Sequence, residues 1–400
     1  MLNRTFSALI LTAVGGISIA GTRPSPDRVT VHEWGTFTTV AGADGRAIEW
    51  LPLSGPTDLP CFVEHFAGQV YKIALADGSP GVYDYAAMRK SMSGKVRMET
   101  PVLYFYASQP TTVNVDVRFP RGIMTEWYPT ATVAQPQIAP SGLRDTKLTS
   151  TISWRDVRVV PSAAPNFPKT TAPSHYYAAR ATDASPVVVN GQAEKFLFYR
   201  GVAAFDVPIT TIALAEGGVR IHNLGADAIP TAILFENYNG KLGFRVARSV
   251  TGEVTLEDPP LTSDFSALRV ELEHSLVAQG LYEKEAKAMV DTWRDSWFEE
   301  GTRVFYIVPQ AAVNAILPLK VTPEPATPPV RVFVGRMEVV SSLTEKEVAS
   351  AIRRNDSATL ERYGRFLGAI TDRSPGSAKV NAATNAALAS YVQRTASTCK

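Results

Sequence analysis

Three carboxylates of this chain stand where a carboxylate needs a reason to be. Glu33 shares the parity of Val31 and Phe37, and Glu99 that of Leu103 and Phe105, inside runs that alternate as half-buried strands do. Glu126 stands beside Trp127 and Tyr128. A carboxylate facing a core must be neutralised by a partner or shift its pKa upward, and arginine is the usual partner. Arg200, on the parity of Phe196 and Phe198, is the first candidate. One outcome is a structural Glu-Arg pair tying sheets together. The other is a polar cleft in which one protonated glutamate serves as acid and a second as base or nucleophile, the chemistry of glycoside hydrolysis. Catalytic candidates are thus Glu33, Glu99 and Glu126. Binding candidates are Trp34, Trp127, Tyr128 and Arg200, because aromatic faces make natural sugar platforms. Geometry separates the readings: carboxyl groups about 5 to 9.5 Å apart in an open cleft favour an enzyme, and an arginine fork closed on a buried glutamate favours structure.

Other chemistries lack their signatures. The chain has no Gly-x-Ser-x-Gly elbow, no His-Glu-x-x-His helix, no Cys-x-x-Cys pair and no phosphate-binding glycine loop. Of the five histidines, His175, His222 and His274 read as surface residues. His32 and His65, with Glu33, Glu64 or Cys61, match no metal-ligand spacing, so neither a metal nor another cofactor is expected.

Strands must position these residues. Val113, Val115, Val117 and Phe119 alternate with Asn114, Asp116 and Arg118 in the cleanest strand pattern. Further strands are expected at 29–38, 96–106, 148–160, 176–180, 196–200, 210–215, 219–223, 232–238, 242–246, 303–308 and 330–340. Asn239-Gly240 marks a hairpin. The period changes near Asp264: Phe265, Leu268, Leu272 and Leu276 keep helical spacing, as do Tyr282, Ala286, Met289, Trp293 and Trp297. A helical hairpin over 264–298 therefore interrupts the strands, and its Trp293 and Trp297 stripe should pack on a sheet. After Ser342 the pattern is helical, with Thr344 and Glu347 as a capping box and breaks near Asn355 and Pro375-Gly376. The fold class expected is mainly β with α: antiparallel sandwich-like units within 28–341, as one body or as two with a boundary near 161–175, the hairpin insertion, and a helical region over 342–400.

Composition narrows the setting. Of 400 residues, 45% are hydrophobic and 20% charged, which suits a packed globular chain. The net charge of +2, with no long block of one sign, excludes charge-driven binding of nucleic acid or anionic membrane. Arg4, the apolar run Phe6 to Ile19, and Ser18 and Ala20 read as a signal peptide over 1–20, cleaved before Gly21 and followed by an exposed leader over 21–27. The rival is an uncleaved anchor, which would need about 20 apolar residues. No segment of the mature chain is apolar enough to span a bilayer, so a periplasmic or extracellular protein is expected. In that setting Cys61 and Cys399 are free to form a disulfide, and the sequence leaves open whether they do.

The runs VHEWGTFT at 31–38, RMETPVLYFY at 97–106, TEWYP at 125–129, FLFYRG at 196–201 and WRDSWFEEGTRVFYIVP at 293–309 resemble, in this order, a family of uncharacterised exported bacterial proteins. The resemblance spans most of the mature chain to about Val340. It implies export and carries no activity, cofactor or site role. Two functions of different class follow: a binding or structural protein of the envelope, with a glycan or envelope protein as partner, or a carboxylate-dependent hydrolase acting on glycans.

Overall fold

The computed structural model describes residues 29–55, 59–65, 71–74, 80–83, 92–134, 148–372 and 378–394. The expected signal peptide and leader, the Pro375-Gly376 break and Cys399 lie outside them. Cys61 is disulfide-bonded.

A nine-stranded sheet organises the molecule. Its strands in chain order are β1 (Thr30–Val40), β2 (Glu64–His65), β3 (Val96–Tyr106), β4 (Gly122–Tyr128), β5 (Leu197–Ala203), β6 (Ile229–Tyr238), β7 (Lys241–Val250), β8 (Gly301–Val308) and β9 (Val330–Val339). In space they run β7-β6-β8-β9-β1-β3-β5-β4-β2. The central pair β1 and β9 is parallel, and its neighbours on both sides are antiparallel. Strands in the middle of this sheet are buried along almost their whole length because both faces are covered.

One face packs on a six-stranded antiparallel sheet whose long strands are Thr111–Pro120 and Thr149–Val159. Val113, Val115, Val117, Phe119, Ile152 and Trp154 from that sheet share a core with Phe37, Leu103, Phe105, Tyr199 and Phe333. Apolar residues at every second position make this sandwich, as the alternation predicts. Thr149–Val159 pairs with Val187–Val189, so strands on both sides of 161–175 belong to one sheet. The β6–β7 hairpin turns at Asn239 (φ +53°) and Gly240 (φ +74°), the positive pair that an Asn-Gly turn supplies.

The opposite face carries helices α1 (Phe265–Val277) and α2 (Glu283–Trp297). Asp264 caps α1 by accepting from the Ala267 N–H. Leu268, Leu272, Leu276, Met289, Trp293 and Trp297 meet Trp34, Val102, Tyr104, Phe235 and Phe305 of the sheet. Trp293 and Trp297 are buried and stacked, with ring centroids 6.4 Å apart. A short helix α3 (Gln310–Ile316) follows β8. Beyond β9 come α4 (Ser342–Arg354), α5 (Ser357–Arg362), α6 (Leu367–Asp372) and α7 (Ala378–Arg394). Val348, Ile352, Tyr363, Phe366 and Ile370 from this region close a third core over Val40, Trp50 and Val340 at one end of β1 and β9.

Two expectations change. Residues 176–180 form no strand but a 3₁₀ helix, His175–Arg180, because the Ser174 side chain accepts from the Tyr176 N–H and starts a turn. The proline-rich connection also holds a short strand, Leu319–Thr322, which pairs with Thr111–Pro120.

Candidate functional site

Glu33 lies on the sandwich face of β1, wholly buried. Arg331, opposite it on β9, donates Nε–H to Oε2 at 2.6 Å, and the Tyr199 hydroxyl donates to Oε1 at 2.5 Å. Arg331 also binds Asn314 Oδ1 at 3.0 Å and the Leu317 carbonyl at 2.6 Å. Burial and the Glu33 charge push the Tyr199 phenol well above its usual value, so it stays a donor. This carboxylate is closed on all sides.

Glu99 and Glu126 reach the helix face instead, by way of bulges. Thr100 adopts φ +47°, and the β1–β3 register slips there, so Met98 and Leu103 both enter the sandwich core although five positions apart. Glu99 is thereby turned away from Leu103 and Phe105, whose parity the sequence suggests it shares. It accepts the Thr38 hydroxyl at 2.5 Å and is forked by Arg365, from the turn between α5 and α6. Burial raises its pKa, but the Arg365 charge and hydrogen bonds, the Thr38 hydroxyl and the Arg200 charge outweigh that and hold it at about 2. A similar slip on β4 puts Met124 and Trp127 in one core and sends Glu126 to the helix face. There Arg97 gives Nη2–H to both Glu126 oxygens, at 3.0 and 3.2 Å, and Nη1–H to Thr125 Oγ1 at 2.8 Å.

Glu33 and Glu99 are thus buried and arginine-paired, the structural one of the two arrangements, but their partners are Arg331 and Arg365. Arg200 is not the one, because the bulges reset the alignment of β3, β4 and β5. It stands opposite Glu126, donates to Thr100 Oγ1 at 3.3 Å and lies over the Trp293 ring at 5.9 Å. Trp34, Trp127 and Tyr128 are all buried, Trp127 giving its Nε1–H to Glu64 at 2.8 Å. They line cores rather than an open sugar platform. Among the described residues no group of three or more His, Cys, Asp or Glu is placed to hold a metal ion.

The structure adds residues the parity argument passed over. On the helix face, Arg303 of β8 forks Glu338 of β9 through Nε (3.0 Å) and Nη2 (3.2 Å). Its remaining N–H groups bind the carbonyls of Trp297 (2.9 Å), the last residue of α2, and of Glu299 (2.5 Å) and Glu300 (2.6 Å) just beyond it. Gly301 begins this strand at φ +112°, and a Cβ there would meet Glu338 Oε1 at 2.9 Å, so both the backbone and the fork demand glycine. Arg336, fully buried beside Phe366, gives Nη2–H to Glu299 at 3.0 Å. Burial and the Arg303 charge pull its pKa down to about 10 against the opposing pull of Glu299 and Glu338. The signal was available: Arg303 shares the parity of Phe305 and Ile307, and Arg336 and Glu338 that of Val332 and Val334.

Two further groups lie away from this belt. His32 Nδ1 stands 2.8 Å from Glu285 Oε2, and Tyr106 donates to Glu285 Oε1 at 2.8 Å. Glu285 is the N3 residue of α2 and accepts the Tyr282 N–H at 2.8 Å, so this carboxylate is committed to capping. Glu236 takes the Thr302 hydroxyl at 3.1 Å, and burial followed by the Asp258 charge pushes its carboxyl up to about 7.

No protein-family model matches the chain, and no curated protein matches it. Among solved structures, the yeast δ-COP-I μ-homology domain aligns over 80% of this chain and 100% of its own, at 10% identity and a TM-score of 0.27, a likeness that carries no argument.

Proposed function

We propose that this is an exported protein of the bacterial envelope that binds or scaffolds rather than hydrolyses. The observation that carries the reading is the state of its three candidate carboxylates: each is buried and closed by guanidinium or hydroxyl donors. Glu33 has Arg331 and Tyr199, Glu99 has Arg365 and Thr38, and Glu126 has Arg97 and Thr125. A glycosidase of the usual kind needs one carboxylic acid that is protonated near neutral pH and a second that reaches the sugar. Glu99, held near pKa 2, is no acid, and a buried carboxylate tied to guanidinium and hydroxyl donors is a poor nucleophile. Export is supported by the Phe6 to Ile19 run and the resemblance described above, and among the described residues no helix is long and apolar enough to cross a membrane.

The test has two arms. Purified mature protein should release no reducing sugar from envelope polysaccharides while keeping any retention on them. Turnover that disappears in Glu99→Gln or Glu126→Gln, with the fold intact, would replace this reading by the hydrolase. N-terminal sequencing of the exported protein should begin at Gly21.

A further inference from the structure

Surplus donors, rather than paired charges, distinguish one spot on the helix face. Arg303 is matched by Glu338, Arg365 by Glu99 and Arg97 by Glu126. Arg336 is held through Nη2 alone, by Glu299 at 3.0 Å and by Glu338, which also serves Arg303, at 3.5 Å. Its Nε and Nη1 are buried without an acceptor, as are Thr36 Oγ1, Trp293 Nε1 and Trp297 Nε1.

These groups lie on adjoining strands and on the helix packed over them. Arg336 stands opposite Thr38 on β1 and opposite Phe305 on β8, with Thr36 two residues along on the same face of β1. The Trp297 ring lies 5.3 Å from Phe305 and stacks on Trp293, which in turn lies under the Arg200 guanidinium. Thr36 faces Glu99 across the β1–β3 pair, which closes the circuit. Every unfilled atom in this ring except the hydroxyl can only donate, and buried donors in native proteins find a partner.

We propose that the ring of Arg336, Thr36, Trp293 and Trp297 holds a small oxyanion, a carboxylate or phosphate group of a ligand, that enters beside Glu299. A guanidinium with unfilled N–H groups and indole N–H groups recognise such oxygens by charge-assisted hydrogen bonds. The proposal names the ligand chemistry of the binding reading and rests on it.

Thermal unfolding with inorganic phosphate or acetate, at ionic strength held constant with chloride, reads the site directly. A ligand that binds only the folded state gives a saturable rise in Tm. The wild type should show that rise with at least one probe, and the ranking of the two distinguishes tetrahedral from planar anions. Arg336→Lys should abolish it. Because that change also disturbs Glu299, two milder variants carry the test. Trp297→Phe keeps a ring and loses the N–H, and Thr36→Val keeps the shape and loses the hydroxyl. Each should weaken apparent affinity about tenfold, as loss of a hydrogen bond to a charged group does. Thr36→Val should also raise the Tm of the anion-free protein, since its hydroxyl has no partner to lose. A flat response to both probes, or a rise that Thr36→Val and Trp297→Phe leave unchanged, overturns the site. Either failure leaves the closed carboxylates standing, whereas polysaccharide turnover would remove the binding reading and leave this titration intact.

Discussion

The two faces of the central sheet bury charge in opposite ways. On the sandwich face, Glu33 and Arg331 form a bridge inside a core of valines and aromatic rings, the Tyr199 hydroxyl and the Leu317 carbonyl add to its bonds, and Arg331 Nη2 alone is left without an acceptor. On the helix face, Arg97, Arg200, Arg303, Arg336 and Arg365 lie in a belt with Glu99, Glu126, Glu299 and Glu338, and Arg336 retains donors with nothing to bind. The first arrangement fixes a register between two strands, and the second leaves two guanidinium nitrogens of one arginine unfilled.

The comparison breaks first at Arg331. Removing one partner of a buried pair strands a charge and typically costs about 3–5 kcal/mol, whereas replacing both by apolar residues is often neutral. Denaturant unfolding of Arg331→Met should show that loss, and Glu33→Leu/Arg331→Met should recover most of it. A single variant as stable as the wild type would mean that the sandwich face is not locked by this pair.

Acid titration sharpens the helix side. Glu99 is depressed to about 2 in the folded protein against an ordinary 4.5, so its contribution is present above pH 4.5 and is lost as pH falls toward 2. The loss is on the order of 3 kcal/mol, and Glu99→Gln should flatten that limb of the stability curve. If the limb survives the substitution, Arg365 does not hold Glu99 as described.

Glu236 has the opposite sign and a smaller effect. Its folded pKa is raised to about 7, so the folded state binds the extra proton and stability falls as pH rises from 4.5 through 7. Glu236→Gln should therefore stabilise the protein at pH 8 and do little at pH 4, as calorimetry can check. A destabilised Glu236→Gln at pH 8 would show that the ionised carboxylate is needed there.

Much of the architecture was legible because local rules agree with the fold. The alternation at Val113 to Phe119, the Asn239-Gly240 turn, the Asp264 cap and the Trp293 and Trp297 stripe all describe what is observed. α4 starts earlier than its capping box suggests, because Ser341 rather than Thr344 is the cap, while Asn355 ends it at φ +55°. Bulges hid the rest. Parity counted through Thr100 and Thr125 assigns Glu99 to the wrong face and leaves the alignment of Glu126 and Arg200 unreadable, because an inserted residue in a strand shows no mark in composition. The partners Arg331 and Arg365 were illegible for another reason: they lie 298 and 266 positions from their glutamates, and only tertiary packing brings them together.

The asymmetry itself is tested most directly by a crystal of the protein soaked in selenate. An anomalous peak is expected on the helix face within hydrogen-bond reach of Arg336 and Thr36, and none at the Glu33–Arg331 bridge. A crystal in which Arg336 Nε and Nη1 meet protein acceptors or ordered water alone, with no selenate beside them, would contradict it.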